Sequence, residues 1–258
     1  MQHREFHRHP LALQRFAAVA ALAALGLGAL TVTATAADDA PLAAFSAAAP
    51  GEPPAAWKFA TLPNKAPTKF SIADLGGARV LKVEAVDSYG NLVHTVRTVV
   101  SPGTSIAWRW RVDKLVEDAD LKVRSGDDSA AKLCLFFGFD GAKLPLGERT
   151  KLALARSATG QDVPTQTLCY VWDNKLAPGT VISSPFTRRV RFQVLESGGA
   201  KLGQWASAKR NVSADYLRVF GDEAEGKVPE LTGVAVSADA DNTHGNGLAY
   251  FGDISLMP

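Results

Sequence analysis

The sequence is short of several things, and each shortage closes off a class of protein. Only Cys134 and Cys169 are cysteines, and beyond residue 9 the only histidines are His94 and His244. So few thiols and imidazoles argue against a structural zinc site, which needs four such ligands at close spacings. In an oxidising compartment the two cysteines could form one disulfide, since both lie in strand-like runs; the other reading is two small apolar core residues. There is no Gly-x-Ser-x-Gly elbow, no His-Glu-x-x-His and no glycine-rich phosphate loop after a strand. After residue 36 no apolar run is long enough to cross a bilayer.

An excess of one charge is also missing once the N-terminus is set aside. The whole chain has 28 Lys and Arg against 26 Asp and Glu; residues 1–36 take away Arg4, Arg8, Arg15 and Glu5, leaving 25 of each. A neutral domain lacks the positive field that nucleic acid or anionic lipid would require, which removes both as expected partners.

What is present begins with an export signal. Arg4, Arg8 and Arg15 form a basic n-region, Phe16 to Val32 is an uncharged run rich in Ala and Leu, and Ala34-Thr35-Ala36 fits the small-x-small cleavage pattern. Residues 1–36 are therefore expected to be removed, leaving a periplasmic or secreted protein. Residues 37–56 are Ala- and Pro-rich without periodicity and read as a flexible spacer. The remainder, 57–258, has the length of one β domain.

Strand-like runs recur between Gly, Pro, Asp and Asn punctuation: Val80–Val86, Leu92–Val100, Ser105–Val112, Ala130–Phe139, Thr167–Trp172, Arg189–Glu196, Leu231–Ser237 and Leu248–Leu256. In Ser105–Val112, Ile106, Trp108 and Trp110 alternate with Arg109 and Arg111, as in an antiparallel sheet with one wet face. Two short helices are expected, Gly147–Arg156 and Val212–Phe220, the second capped at Ser213 and stopped at Gly221. This pattern predicts an all-β, two-sheet sandwich, a jelly roll of the galactose-binding-like kind, with one or two short helices.

Two resemblances bear on this. Residues 78–112, with Pro102-Gly103 leading into an aromatic-rich strand, and the closing AYFGDISL resemble jelly-roll carbohydrate-binding modules. The segments WRWRV (108–112), GDD (126–128), YVWDN (170–174), RNVSADYLRVFG (210–221) and DADNTHGNGLAYFGDI (239–254) identify the chain as similar to the bacterial exported family called domain of unknown function 3047. That resemblance implies export and fold, not an activity.

The richest chemical motif is the loop 238–247. Asp239, Asp241, Asn242 and Thr243 place hard oxygen donors within five residues, suited to calcium, although the same residue types serve ordinary turns. Asp127 and Asp128 form a second acidic pair that could bind a cation or sugar hydroxyls, or simply make a turn. Arg109 and Arg111 would line a sheet face opposite buried Trp108 and Trp110; tryptophans at that parity with Ile106 and Val112 read as core. Arg210 and Asp215 read first as an ion pair anchoring a helix, and second as a hold on an anionic ligand. No catalytic residue is marked; Glu84, Asp173 and Glu196 are the carboxylates in or beside strands that a glycosidase could use.

The expected function is thus binding without transformation, carbohydrate being the leading ligand, with Arg109, Arg111, Asp127, Asp128 and Arg210 as ligand contacts. Calcium is the one expected cofactor, held by Asp239, Asp241, Asn242 and Thr243. A polysaccharide hydrolase or lyase, and an envelope assembly protein, are the alternatives.

Overall fold

The structure is a computed structural model and describes residues 41–159 and 164–257. The expected signal peptide, residues 1–36, and residues 37–40 of the expected spacer lie outside the described residues. Within these, no helix is long and apolar enough to cross a membrane. The strands are β1 (Trp57–Ala60), β2 (Ala66–Pro67), β3 (Lys69–Leu75), β4 (Ala78–Val86), β5 (Ser88–Thr98), β6 (Ser105–Lys114) and β7 (Ser129–Phe137). They continue as β8 (Gln166–Asp173), β9 (Val181–Ser183), β10 (Val190–Ser197), β11 (Ala206–Asn211), β12 (Leu231–Asp239), β13 (Asn246–Phe251) and β14 (Ser255–Met257). The helices are α1 (Leu146–Thr159) and α2 (Val212–Ala224).

Two sheets make a sandwich of jelly-roll type. The eight-stranded sheet runs β1-β5-β12-β7-β8-β10-β9, with β2 beside β5; the six-stranded sheet runs β11-β6-β13-β4-β3, with β14 beside β6. Pairing is antiparallel except for β8 with β10 and β2 with β5. Alternation decides what lies between the sheets. Trp108, Trp110 and Val112 of β6 meet Leu133, Leu135 and Phe137 of β7 and Leu168, Tyr170 and Trp172 of β8 in one cluster. Trp110 is 1% exposed and its ring lies edge-on to Trp108, Trp172 and Phe251. Truncating such a side chain to alanine costs about 3–5 kcal/mol.

The two outer faces differ, and this positions the site. Cys134, Cys169, Val171, Phe192, Val194 and Ala235, on the outer face of the eight-stranded sheet, form a second cluster covered by Leu121, with Leu176 and Ile182 packed on it. Cys134 and Cys169 stand opposite each other across β7 and β8 and are joined as a disulfide. The outer face of the six-stranded sheet stays open in the middle and keeps its charged residues.

Several expectations are corrected. Residues 41–56 are not a free spacer: Phe45 is fully buried against Trp57, whose Nε1 donates to Ala43 O at 2.8 Å, and Leu42 is buried beside them. The segment that looked like a linker is a strap of turns and bends, bridged to β3 through Gly51 and Ile72. The run Leu248–Leu256 is two strands separated at Gly252–Ile254. Helix α2 is capped by Asn211, whose side chain accepts from Ala214 N, not by Ser213; it passes Gly221 and ends where Glu225 takes a left-handed conformation, φ 48°.

Candidate functional site

On the outer face of the six-stranded sheet, β6 lies between β11 and β13. Arg109 and Arg111 both project there, but their circumstances differ. Arg111 makes a two-pronged ion pair with Asp113, Nε to Oδ1 at 2.5 Å and Nη2 to Oδ2 at 3.0 Å, with its guanidinium 5.9 Å from the Tyr250 ring centre. Arg109 has no carboxylate or hydrogen-bond partner for its guanidinium among the described residues. Its Cζ sits 4.6 Å over the Trp205 ring, a cation–π contact. On its other side the backbone of Gly252 approaches so closely that a Cβ there would come within 2.7 Å of Arg109 Cγ and Nε. Arg109 is therefore held by packing alone.

The break between β13 and β14 shapes the space beside Arg109. Gly252 N donates to Arg109 O at 2.9 Å, and the next residue, Asp253, turns out to meet the strap. Asp253 Oδ1 accepts from Ser46 N at 2.9 Å and Oδ2 from Ser46 Oγ at 2.5 Å. Arg79 Nη1 donates to Ala48 O at 2.9 Å on the same strap. Together with Ser207 and Ser255 these residues line a shallow cavity of about 350 Å³. Ser46, Asp253 and Gly252 were not singled out in the sequence, and Trp205 only as one of five tryptophans that could stack on a sugar; their tertiary meeting marks them.

The acidic residues gather elsewhere, at the ends of β12 and β7. Asp239 Oδ1 accepts from Ser129 N at 2.8 Å and its Oδ2 from Lys132 Nζ at 2.6 Å. Asp128 Oδ1 accepts from Asn242 N and Nδ2, and its Oδ2 from Thr243 N and Oγ1 at 2.7 Å each. Asp241 pairs with Lys65 at 2.5 Å, and Asp127 accepts from Ser184 Oγ at 2.9 Å. One carboxylate oxygen from each of Asp128, Asp239 and Asp241 lies within 4.8 Å of the others. Asp127 Oδ1 and Asp241 Oδ1 are buried without a partner.

Electrostatics follows from that crowding. Burial pushes Asp239 up to about 6; Lys132 opposes this, while Asp128 and Asp127 add to it. Burial raises Asp127 as well. Lys132 is held above its usual range even though burial alone would lower it, because Asp239 and Asp127 outweigh the desolvation. Lys132 was missed in the sequence, where its one signal was a lysine inside the apolar run AAKLCLFF.

The expected residues therefore divide. Asp127 and Asp128 do meet the Asp239–Thr243 loop, as loops distant in sequence can at one end of a sandwich. Asn242 and Thr243, expected to lend oxygens to an ion, instead direct hydrogen-bond donors at Asp128. Arg210 is not with Arg109 and Arg111: its Nε and Nη2 bind Asp215 at 2.7 and 2.6 Å, and Tyr170 OH donates to the same carboxylate at 2.9 Å. That is the helix-anchoring pair, with Asp215 4% exposed in the first turn of α2.

Fold and site together describe a two-sheet β-sandwich with one polar cavity on its open face and a buried Asp–Lys cluster at one end. The chain belongs to the family described as protein of unknown function (DUF3047), whose model matches residues 55–255. No curated protein matches it. Among solved structures, endoglucanase 3 of family GH12 from Trichoderma harzianum is similar at 10% identity and TM-score 0.40, over 80% of this chain and 99% of that one. The xyloglucanase domain of NopAA, a type three effector from Sinorhizobium fredii, in complex with cellobiose, is similar at 9% identity and TM-score 0.42, over 78% and 92%. A family 12 xyloglucanase from Bacillus licheniformis is similar at 10% identity and TM-score 0.36, over 78% and 96%. Likeness at this level transfers neither residues nor substrate to this chain.

Proposed function

We propose that the protein is exported and binds carbohydrate without transforming it, through the open face of the six-stranded sheet. The observation that supports this is the cavity of about 350 Å³ beside Arg109, where the hydroxyls of Ser46, Ser207 and Ser255, two guanidinium groups and the Asp253 carboxylate are mixed with the apolar surface of Ala78, Ala107 and Trp108. Its size falls at the small end of ligand pockets. Binding fits better than hydrolysis because the cavity lining holds one carboxylate, Asp253, and both its oxygens are bonded to Ser46. Two carboxyl groups facing each other are the minimum for either glycosidase geometry. Export agrees with the basic and apolar N-terminus and with a disulfide in the folded domain. A glycan array probed with the purified protein is expected to retain it on a subset of glycans, with no reducing ends released from them. Retention on none would reject the reading, and release of reducing ends would turn it toward the hydrolase.

A second reading, for the acidic cluster, is that calcium takes one oxygen each from Asp128, Asp239 and Asp241 in exchange for the Lys65 ammonium. The partnerless buried oxygens of Asp127 and Asp241 favour it, as does an oxygen spacing within 4.8 Å. Oxygens on opposite sides of a calcium ion are about 4.6–5.2 Å apart. Calcium at 100 times its dissociation constant would stabilise the fold by about 2.7 kcal/mol. The thermal midpoint would then rise by roughly 5–10 °C over that in chelator, and Asp241→Ala would abolish the rise. A midpoint that ignores calcium removes the ion from the account.

A further inference from the structure

We propose that the ligand of the open-face cavity is an anionic glycan, whose carboxylate or sulfate group is taken by the guanidinium of Arg109. This rests on the carbohydrate reading above and names the class of sugar. The argument is one of unequal satisfaction among the charges on this face. Arg111 is neutralised by Asp113 through two hydrogen bonds. Arg79 reaches Ala48 O and lies 3.9 Å from Asp74. Lys82 pairs with Glu84 at 2.8 Å. Asp253 is bonded through both oxygens to Ser46. Of the two cations that line the cavity, Arg79 and Arg109, only Arg109 lacks both a hydrogen-bond acceptor and a carboxylate among the described residues. Lys209 of β11 is exposed on the same face without a carboxylate, but lies outside the cavity lining, and Asp253, bonded only to neutral donors, keeps its negative charge within it.

It is also pre-positioned. A long side chain on a sheet surface ordinarily loses rotamer freedom when it binds, at a cost of up to about 2 kcal/mol. Here the Trp205 ring lies against the guanidinium and the Gly252 backbone against the stem, which narrows the courses open to an otherwise exposed side chain. Trp205 is occupied by this cation, so it acts as a support for the guanidinium and not as a stacking platform for a sugar ring. The forked N–H groups of arginine match a planar carboxylate, or two oxygens of a sulfate, in a two-pronged bond that lysine cannot copy. The hydroxyls of Ser207 and Ser255 on the cavity wall suit the rest of a sugar.

The test is affinity electrophoresis of the full-length protein in gels containing polygalacturonate, dextran sulfate or neutral dextran, with titration calorimetry on whichever polymer retards it. Binding to at least one anionic polymer in preference to dextran is expected, and the arm that binds tells carboxylate from sulfate. Arg109→Ala should weaken that binding about tenfold or more, and Arg109→Lys should not restore it. Gly252→Ala keeps the charge but pushes the side chain aside, and should weaken binding similarly. Arg97→Ala, an exposed arginine of β5 on the other sheet, should change it less than twofold and so exposes generic charge attraction. Thermal midpoints check that each variant is folded; should Gly252→Ala fail to fold, Arg109→Ala decides alone. Anionic binding that survives Arg109→Ala, or preference for a neutral glycan on the array, overturns this inference and leaves the carbohydrate reading standing. Retention on no glycan of either charge overturns both.

Discussion

Glu223 stands in the last turn of α2, where the helix dipole disfavours an acid, and is held there by arginines from β10 and the residue before it. Its Oε1 accepts from Arg189 Nη2 at 2.6 Å and Arg191 Nη2 at 2.5 Å, and its Oε2 accepts from Gln166 Nε2 at 3.1 Å. Burial by itself would raise this carboxyl, but hydrogen bonding to Arg189 and the charges of Arg189 and Arg191 bring it below its usual value of 4.5. Arg191 likewise lowers Asp222. A lowered folded-state pKa means the stabilisation is present above about pH 4.5 and lost as pH falls through the lower folded value. Glu223→Gln keeps the shape and removes the charge. It should cost about 1.5–3 kcal/mol at neutral pH, the range for hydrogen bonds to charged groups, and flatten the loss of stability below pH 4.5. Denaturant unfolding at pH 7, 5 and 3.5 measures both; parallel pH dependence in wild type and variant would show that this pair does not govern acid sensitivity.

At the scale of elements, the β7–β8 pair is tied most firmly. Cys134 and Cys169 are cross-strand neighbours with 35 residues of separation, a span that includes α1. Closing such a loop restricts the unfolded chain and is worth about 2–4 kcal/mol. Reduction, or a Cys134→Ala/Cys169→Ala pair, should lower the thermal midpoint by roughly 5–15 °C. Equal midpoints with and without reductant would mean the bond contributes nothing beyond what packing of the two side chains already supplies. The strap at 41–56 shows a different kind of dependence. It adds no strand, yet Ser46 holds Asp253 in place and Ala48 holds Arg79, so one wall of the cavity depends on a segment whose composition resembles a linker.

Over the whole molecule, the strand runs of the sequence fall on β4 to β8, β10, β12 and β13: β4, β5, β6 and β13 alternate between a buried and a more open face, whereas β7, β8 and β12 are buried on both faces and read as near-continuous apolar runs. Trp108 and Trp110 were readable as core from their parity with Ile106 and Val112. The strands that escaped were short, such as β2 and β9, or polar, such as β11, whose residues Ala206–Asn211 alternate without large apolar side chains. β3 escaped although KFSIADL alternates, with Phe70 and Ile72 buried. Within the site, the acidic clusters were legible as composition; their partners were not. Lys65 lies 176 residues from its partner Asp241 and Lys132 107 residues from Asp239, and nothing local ties either pair together in sequence.

By itself the sequence determined the neutral charge of the chain after its N-terminal segment, the all-β class and the alternation that puts tryptophan on one side of β6 and arginine on the other. These follow from local periodicity and counting. Tertiary structure alone decided what surrounds Arg109. Arg109 and Arg111 lie two residues apart on one strand face; Asp113, two residues beyond Arg111, is a partner that alternation already places beside it, while nothing local marks what surrounds Arg109. Asp113 neutralises the second, while Trp205 and Gly252, brought from β11's approach and the β13–β14 break, hold the first without neutralising it. The contacts that hold Arg109 join residues about 100 or more positions away in the chain, and local pattern does not report them.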